Sequence, residues 1–175
     1  AVYRSNAVTK HGEHGNALLS RWPVIECRHE DMSDHRFEQR GLLHAKLLVA
    51  GVTLHAIVVH FGLIPSSRVR QTARLKAYIA REIPLDEPVV VAGDFNDWGT
   101  RVRRLLRVDS LHAFEGPRTL TYPSRYPVAQ LDHIYARGLR PLSLADPAGA
   151  SGQPHARLLA AESRIQSAAV EGYKK

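Results

Sequence analysis

Hydrophobic and polar positions along this chain mark out a strand-rich domain with one main helix. The clearest stretch is Pro88-Val89-Val90-Val91-Ala92-Gly93-Asp94-Phe95-Asn96-Asp97. Three successive valines suit a strand covered on both faces, and the run turns polar at Gly93. In an extended chain Asp94 and Asn96 point the same way. Upstream, Leu42 to Val49 and Thr53 to His60 flank Ala50-Gly51-Val52 and predict a hairpin. Leu54, Ala56, Val58 and His60 share one face of its second strand, and His60 closes that face just before Phe61. Ser66 to Ile83 predicts a helix with Ser66 and Ser67 as caps and Pro84 as its stop; Val69, Ala73, Ala80 and Ile83 form its apolar stripe. The resulting order is strand, helix, strand.

Elsewhere the pattern is weaker. Residues 1–15 are polar and carry two glycines, so they read as a loop, and His11, Glu13 and His14 lack a third ligand at helical spacing. Asn16 to Ser20 predicts a short strand stopped by Arg21-Trp22-Pro23. Residues 28–40 are charged and aperiodic, which predicts an exposed, mobile connection. Arg101 to Val108 predicts a short basic helix, and Thr119 to Tyr122 a brief strand among prolines. Leu131 to Tyr135 predicts a strand with Asp132 near its start; Leu142 and Leu144 suggest another. Asp146 to Pro154 is turn-rich. Local propensity over 155–162 is helical, yet burial against a sheet is expected to make 156–162 extended. There is no internal repeat, Walker loop or dinucleotide glycine pattern.

Composition narrows the class of partner. A chain of 175 residues with 44% hydrophobic content forms one soluble domain with a real core. The net charge is +7 with ten histidines counted as neutral, which favours nucleic acid, phosphorylated small molecules or an anionic lipid surface. Most cations of the predicted helix form a solvated face, with Arg68, Arg70 and Arg74 placed to approach a polyanion. Cys27 is the only cysteine, so no disulfide framework exists and a reducing, cytoplasmic location is expected. No apolar run reaches transmembrane length. The chain opens on Ala1 and reaches Tyr3 at once, so its natural start is expected to lie elsewhere.

The pair Asp94 and Asn96 carries the clearest chemistry. A carboxylate and a carboxamide at the mouth of a buried strand can orient a water, grip a divalent cation and hydrogen-bond a phosphoryl oxygen. A plain Asx turn closing a core strand fits the same residues.

Four segments, in this order, resemble the endonuclease/exonuclease/phosphatase superfamily, the fold of deoxyribonuclease I. They are Gly15-Asn16-Ala17-Leu18-Leu19-Ser20-Arg21, Val59-His60-Phe61-Gly62-Leu63, Gly93-Asp94-Phe95-Asn96 and Leu131-Asp132-His133-Ile134. The spacing from Gly12 to Arg21 and Arg40-Gly41 is similar to short bacterial members of unassigned substrate. The resemblance implies an α+β fold of two packed, mainly antiparallel sheets flanked by helices, a four-layer αββα sandwich. Residues 1–165 would form this single domain and 166–175 a polar tail. It further implies a metal-dependent phosphoesterase working by in-line attack of water. Asp94 would orient and deprotonate the water, and Asn96 would fix it or a phosphoryl oxygen. His155, oriented by Asp132, would stabilise charge on the phosphate, while His60 would touch another oxygen or assist the leaving group. The implied cofactor is Mg2+, with Mn2+ as a substitute, held by Asp94 and Asn96. Substrates implied by the family include nucleic acid, nucleotides and phospholipid headgroups. Two departures stand out. The family's early Asn and its Gln-Glu pair, whose glutamate is the principal metal ligand, have no counterpart here, so the chain is expected to be the carboxy-terminal portion of a longer fold. Gln153-Pro154-His155 also stands where the family has Ser-Asp-His. Both departures favour the competing reading, a catalytically degenerate member that binds anions or nucleic acid through its basic surface.

Overall fold

A computed structural model describes residues 1–10, 12–107, 111–113, 120–123, 125–145 and 160–165. The strands are β1 (Val2–Thr9), β2 (Gly12–Leu18), β3 (Val24–Asp31), β4 (Gly41–Val49), β5 (Val52–His60), β6 (Val89–Asp94), β7 (His112–Ala113), β8 (Asp132–Arg137), β9 (Leu139–Ala145) and β10 (Ala160–Ile165). The helices are α1 (Pro65–Glu82), between β5 and β6, and α2 (Arg101–Arg107), between β6 and β7. Six strands form one sheet in the order β3-β4-β5-β6-β8-β7. Its β5–β6 pair is parallel and the other pairs are antiparallel, with α1 as the crossover between β5 and β6. β1 pairs with β2, and β9 with β10, as two antiparallel hairpins.

The two faces of the large sheet are filled differently. Leu42, Ile57, Val59, Val89, Val91 and Tyr135 face the helices and pack with Leu75, Tyr78 and Ile79 of α1 and Val102 and Leu106 of α2. Side chains one position along each strand point the other way. There Ala45, Leu47 and Ala56 meet Val2 and Leu18 of the first hairpin, while Ala136 and Leu139 pack with Leu54, Val90 and Ile134. The result is an α+β sandwich: helices, a six-stranded sheet, and hairpins over its second face.

Several elements differ from the sequence reading. The polar segment 1–15 is β1 and most of β2 rather than a loop. It reads as polar because little of this hairpin enters the core, chiefly Val2 and Leu18. The segment 28–40 begins as β3, an edge strand whose charged side chains pair along the surface, Lys46 Nζ lying 2.8 Å from Glu26. Its remainder is tethered rather than loose. Asp34 accepts from Ser67 Oγ at 2.6 Å and from Arg70 at 2.7 and 2.6 Å, and the Ser33 carbonyl accepts from Arg74 at 2.6 Å.

Helix α1 starts at Pro65, which suits the first turn because it has no N–H to satisfy, and no side chain caps it. Ser67 turns inward to Asp34 instead. The buried face is Ser67, Arg68, Gln71, Thr72, Leu75, Tyr78 and Ile79, rotated away from the expected stripe of Val69, Ala73 and Ala80. Polar members occupy that face because each finds a partner: Gln71 bonds the Gly62 amide and the Met32 carbonyl, and Arg68 the Gly62 and Leu63 carbonyls. Arg68 is therefore buried and committed to backbone carbonyls, and Arg70, though exposed, is paired with Asp34, rather than either being simply offered to a polyanion. Between 120 and 123 the only pairing is an isolated bridge from Tyr122 to Ala129, not a strand. Residues 160–162 are extended as expected, and 156–159 lie outside the described residues. Among the described residues no helix is long and apolar enough to cross a membrane.

Candidate active site

Three of the expected site residues come together because their strands end together. In the β5–β6 ladder Val59 stands level with Gly93 and His60 with Asp94; across β6–β8, Asp94 stands level with Asp132. By strand alternation His60, Asp94 and Asp132 lie on the hairpin-covered face, in a row across three neighbouring strands. Their neighbours fix them there. Phe61 and Phe95 are fully buried and meet edge to face with ring centroids 5.0 Å apart, and Phe95 meets Tyr135 at 5.1 Å. Each site residue is thus held by an adjacent aromatic or aliphatic anchor in the core.

Backbone geometry tightens the row. Gly93 has φ +147°, and a Cβ there would come within 1.9 Å of the Val59 carbonyl oxygen. Only glycine lets β6 approach β5 this closely at the residue before Asp94. The Asp94 carbonyl accepts from the Phe61 amide at 2.8 Å, and its Oδ1 accepts from the Asn96 amide at 2.8 Å. Asn96 is buried with φ +47°, a left-handed conformation that asparagine tolerates, and its Nδ2 donates to the Phe61 carbonyl at 2.9 Å. The turn expected of an Asx pair is present, and the same turn aims both polar groups at the end of β5.

The electrostatics are those of charges crowded out of water. Asp94 Oδ2 lies 3.8 Å from His60 Nε2. Desolvation, followed by the nearby Arg40 charge, holds the His60 imidazole at about 4, although 44% of its side-chain surface remains open. His60 is therefore neutral near pH 7 and acts as a hydrogen-bonding group rather than a cation. Burial raises the pKa of Asp94. Asp132 is pushed up to about 6, first by burial and also by the like charge of Asp94.

Some contributors were not visible in the sequence. Arg40 sits just before β4, its backbone carbonyl accepting from the Met32 amide at 2.9 Å and its own amide donating to Ser33 Oγ at 3.0 Å. Its guanidinium donates to Glu38 Oε1 at 3.0 Å, its Nε is buried without a partner, and its charge reaches both His60 and Asp94. Glu38 also accepts from the Leu63 amide at 2.9 Å, tying Arg40 to the loop after His60. Thr121 is fully buried; its Oγ1 accepts from the amides of Leu131 and Asp132 at 3.1 and 3.3 Å. Asn16, quoted above only as part of a motif, is buried and donates from Nδ2 to the Gly41 and Val58 carbonyls at 2.7 and 3.2 Å. It pins the first hairpin over the row. Arg40 entered the sequence analysis only through the Arg40-Gly41 pair of the resemblance, which gave it no role, since its place beside His60 and Asp94 is set by contacts distant in sequence.

His155 and Pro154 lie outside the described residues, as does the expected Asp132–His155 pair. Among the described residues no three His, Cys, Asp or Glu side chains converge as a ready-made metal cage.

The family model for the Endonuclease/Exonuclease/phosphatase family matches residues 2–151. The chain belongs to this family. It is 37% identical over 143 residues to the uncharacterized protein YbhP of Escherichia coli (strain K12), covering 78% of this chain. The match takes in 56% of YbhP, so the chain spans little more than half the length of that relative. Among solved structures, the mannosyl-6-phosphatase Bt3783 of Bacteroides thetaiotaomicron VPI-5482 superposes with a TM-score of 0.62 at 12% identity, over 82% of this chain and 67% of that one. D. rerio TDP2 complexed with single strand DNA product superposes with a TM-score of 0.58 at 18% identity, over 70% of this chain and 58% of that one. At such identities these two likenesses establish the shared fold.

Proposed function

We propose that the His60–Asp94–Asp132 row, with Asn96 beside it, serves a phosphoesterase that hydrolyses its substrate by in-line attack of water. Family membership supports phosphoester hydrolysis in general. The observation that carries the finer reading is the register that sets these three side chains level on adjacent strand ends. Asp94, with its raised pKa, orients the attacking water and takes its proton, since a base works best with a pKa nearer the working pH. The Asn96 amide holds the Asp94 carboxylate in place, and its carboxamide, anchored on Phe61, fixes the water or a phosphoryl oxygen. His60, neutral, hydrogen-bonds another oxygen or assists the leaving group. His155 is assigned the stabilisation of charge on the phosphate, with Asp132 as its orienting partner.

The donor set suits a hard divalent cation. Asp94 and Asn96 would hold Mg2+, or Mn2+ in its place; Asp132 is raised first by burial and then by the like charge of Asp94, and a cation relieves the second of these. Magnesium keeps several waters and is commonly bound by one or two carboxylates plus substrate phosphate, so a sparse protein set suffices. When bound, it would offset the negative charge that builds on the phosphoryl oxygens. Arg40 adds a second positive charge from the chain itself. The substrate remains a choice among nucleic acid, nucleotide and phospholipid headgroup, because a fold does not fix the leaving group. A mannosyl phosphatase and a protein complexed with DNA among the structural neighbours illustrate this breadth. Pro154, where the family has an acid, favours a second reading in which the site binds phosphate without turning it over. Cleavage of a phosphodiester and a phosphomonoester, each with and without Mg2+, separates the two when His155→Ala is run beside the wild type. Metal-dependent turnover that falls in His155→Ala supports the enzyme; saturable binding of both substrates without turnover supports the binding module.

A further inference from the structure

We propose that the cavity lined by the segments that follow Asn96 and flank Asp132 is a subsite for a flat heteroaromatic ring, such as a nucleobase, attached to the scissile phosphate. This rests on the reading of the row given above and names what its substrate bears. The cavity measures about 310 Å³, and Trp98, Leu120, Val128, Arg103, Gln130 and His133 form most of its lining. That is the lower end of the range for small-molecule sites, enough for a single ring system.

Connectivity ties the cavity to the chemistry. Trp98 follows Asn96 by two residues, and its amide donates to the Asn96 carbonyl at 3.1 Å. Gln130 and His133 bracket Leu131-Asp132, and Leu120 precedes Thr121, whose hydroxyl oxygen receives the Leu131 and Asp132 amides. The walls therefore continue the chain on from Asn96 and on either side of Asp132, although His133 itself points to the helix side of the sheet with Phe95 and Tyr135, opposite to Asp132.

The lining states what it would recognise. Trp98 keeps 58% of its surface exposed yet is braced by Tyr122, edge to face at 5.5 Å. A braced, open indole is a stacking platform, and Leu120 and Val128 add exposed apolar surface. Gln130 can both donate and accept, which suits the mixed edge of a base, and Arg103 adds positive charge. The carboxylate in the lining, Asp97, is already engaged, its Oδ2 accepting from the Val102 and Arg103 amides at 3.1 and 3.3 Å. The indole platform fits the face of a base and Gln130 its edge, and a sugar in the same place is the outcome the test must exclude.

The test uses phosphate-free ligands in a Trp22→Phe background, where Trp98 is the remaining fluorophore among the tryptophans. Adenosine should quench its emission saturably, and mannose should not. By calorimetry, Trp98→Ala should weaken adenosine about tenfold or more, while Trp98→Phe should retain most of the binding. Asp94→Asn should bind adenosine like the wild type, so failure of the catalytic reading would leave this result standing. No saturable effect of adenosine, equal binding by Trp98→Ala, or saturation by mannose in its place would overturn the proposal.

Discussion

Asp132 shows at the residue scale how the site opposes stability. Its folded pKa, about 6, lies above the ordinary 3.8, so the fold prefers its protonated form. That preference contributes stability fully below pH 3.8 and loses it as pH rises through about 6. Asp132→Asn removes the charge and should stabilise the protein at pH 8 by about 1–3 kcal/mol, the gain fading below pH 4. Thermal melts across this range check it, and a lower melting temperature at pH 8 would contradict it. Arg40 makes the complementary case. Arg40→Ala should raise the inhibition constant of inorganic phosphate about tenfold or more, with Arg40→Lys intermediate because it keeps the charge but not the planar fork. The same substitution should raise the His60 pKa above about 4, since Arg40 helps depress it, and an imidazole NMR titration reads that directly. His60, Asp94, Asn96 and Asp132 were legible because each interrupts or ends an apolar run. Arg40 and Thr121 were not, because they reach the row from segments placed by contacts distant in sequence.

For elements, the parallel β5–β6 pair decides whether the row exists. Gly93→Ala would set a methyl group 1.9 Å from the Val59 carbonyl oxygen at φ +147°, so the strands must part. A loss of about 3 kcal/mol or more is expected in urea unfolding, with phosphoesterase activity falling in step. A near-neutral effect would mean that the approach of β6 to β5 is not needed. The β4–β5 hairpin and β6 were readable from their apolar runs. The β1–β2 hairpin was not, since a strand pair with little core contact need not alternate strongly. The buried face of α1 was hidden for a different reason: Arg68, Gln71 and Thr72 are polar but bonded, and hydropathy cannot see a satisfied partner. Residues 160–162, paired with β9, are extended where local propensity is helical.

At the level of the whole molecule, the chain carries a net charge of +7, while β6 and β8 bring the carboxylates of Asp94 and Asp132 level with each other. In the function proposed above, the positive surplus would draw an anionic substrate in, and the carboxylates would direct water and cation. The layering of helices, large sheet and hairpins is what places these opposite tendencies a few residues apart. The role proposed for Asp94 is that of the base that activates the attacking water. Its most direct test is kcat/KM on a simple phosphodiester, measured with and without Mg2+, for the natural protein carrying this sequence and for its Asp94→Asn variant. Mg2+-dependent cleavage is expected, dropping about 100-fold to 10,000-fold in Asp94→Asn while the fold and phosphate binding persist. Cleavage that proceeds undiminished in Asp94→Asn would contradict it.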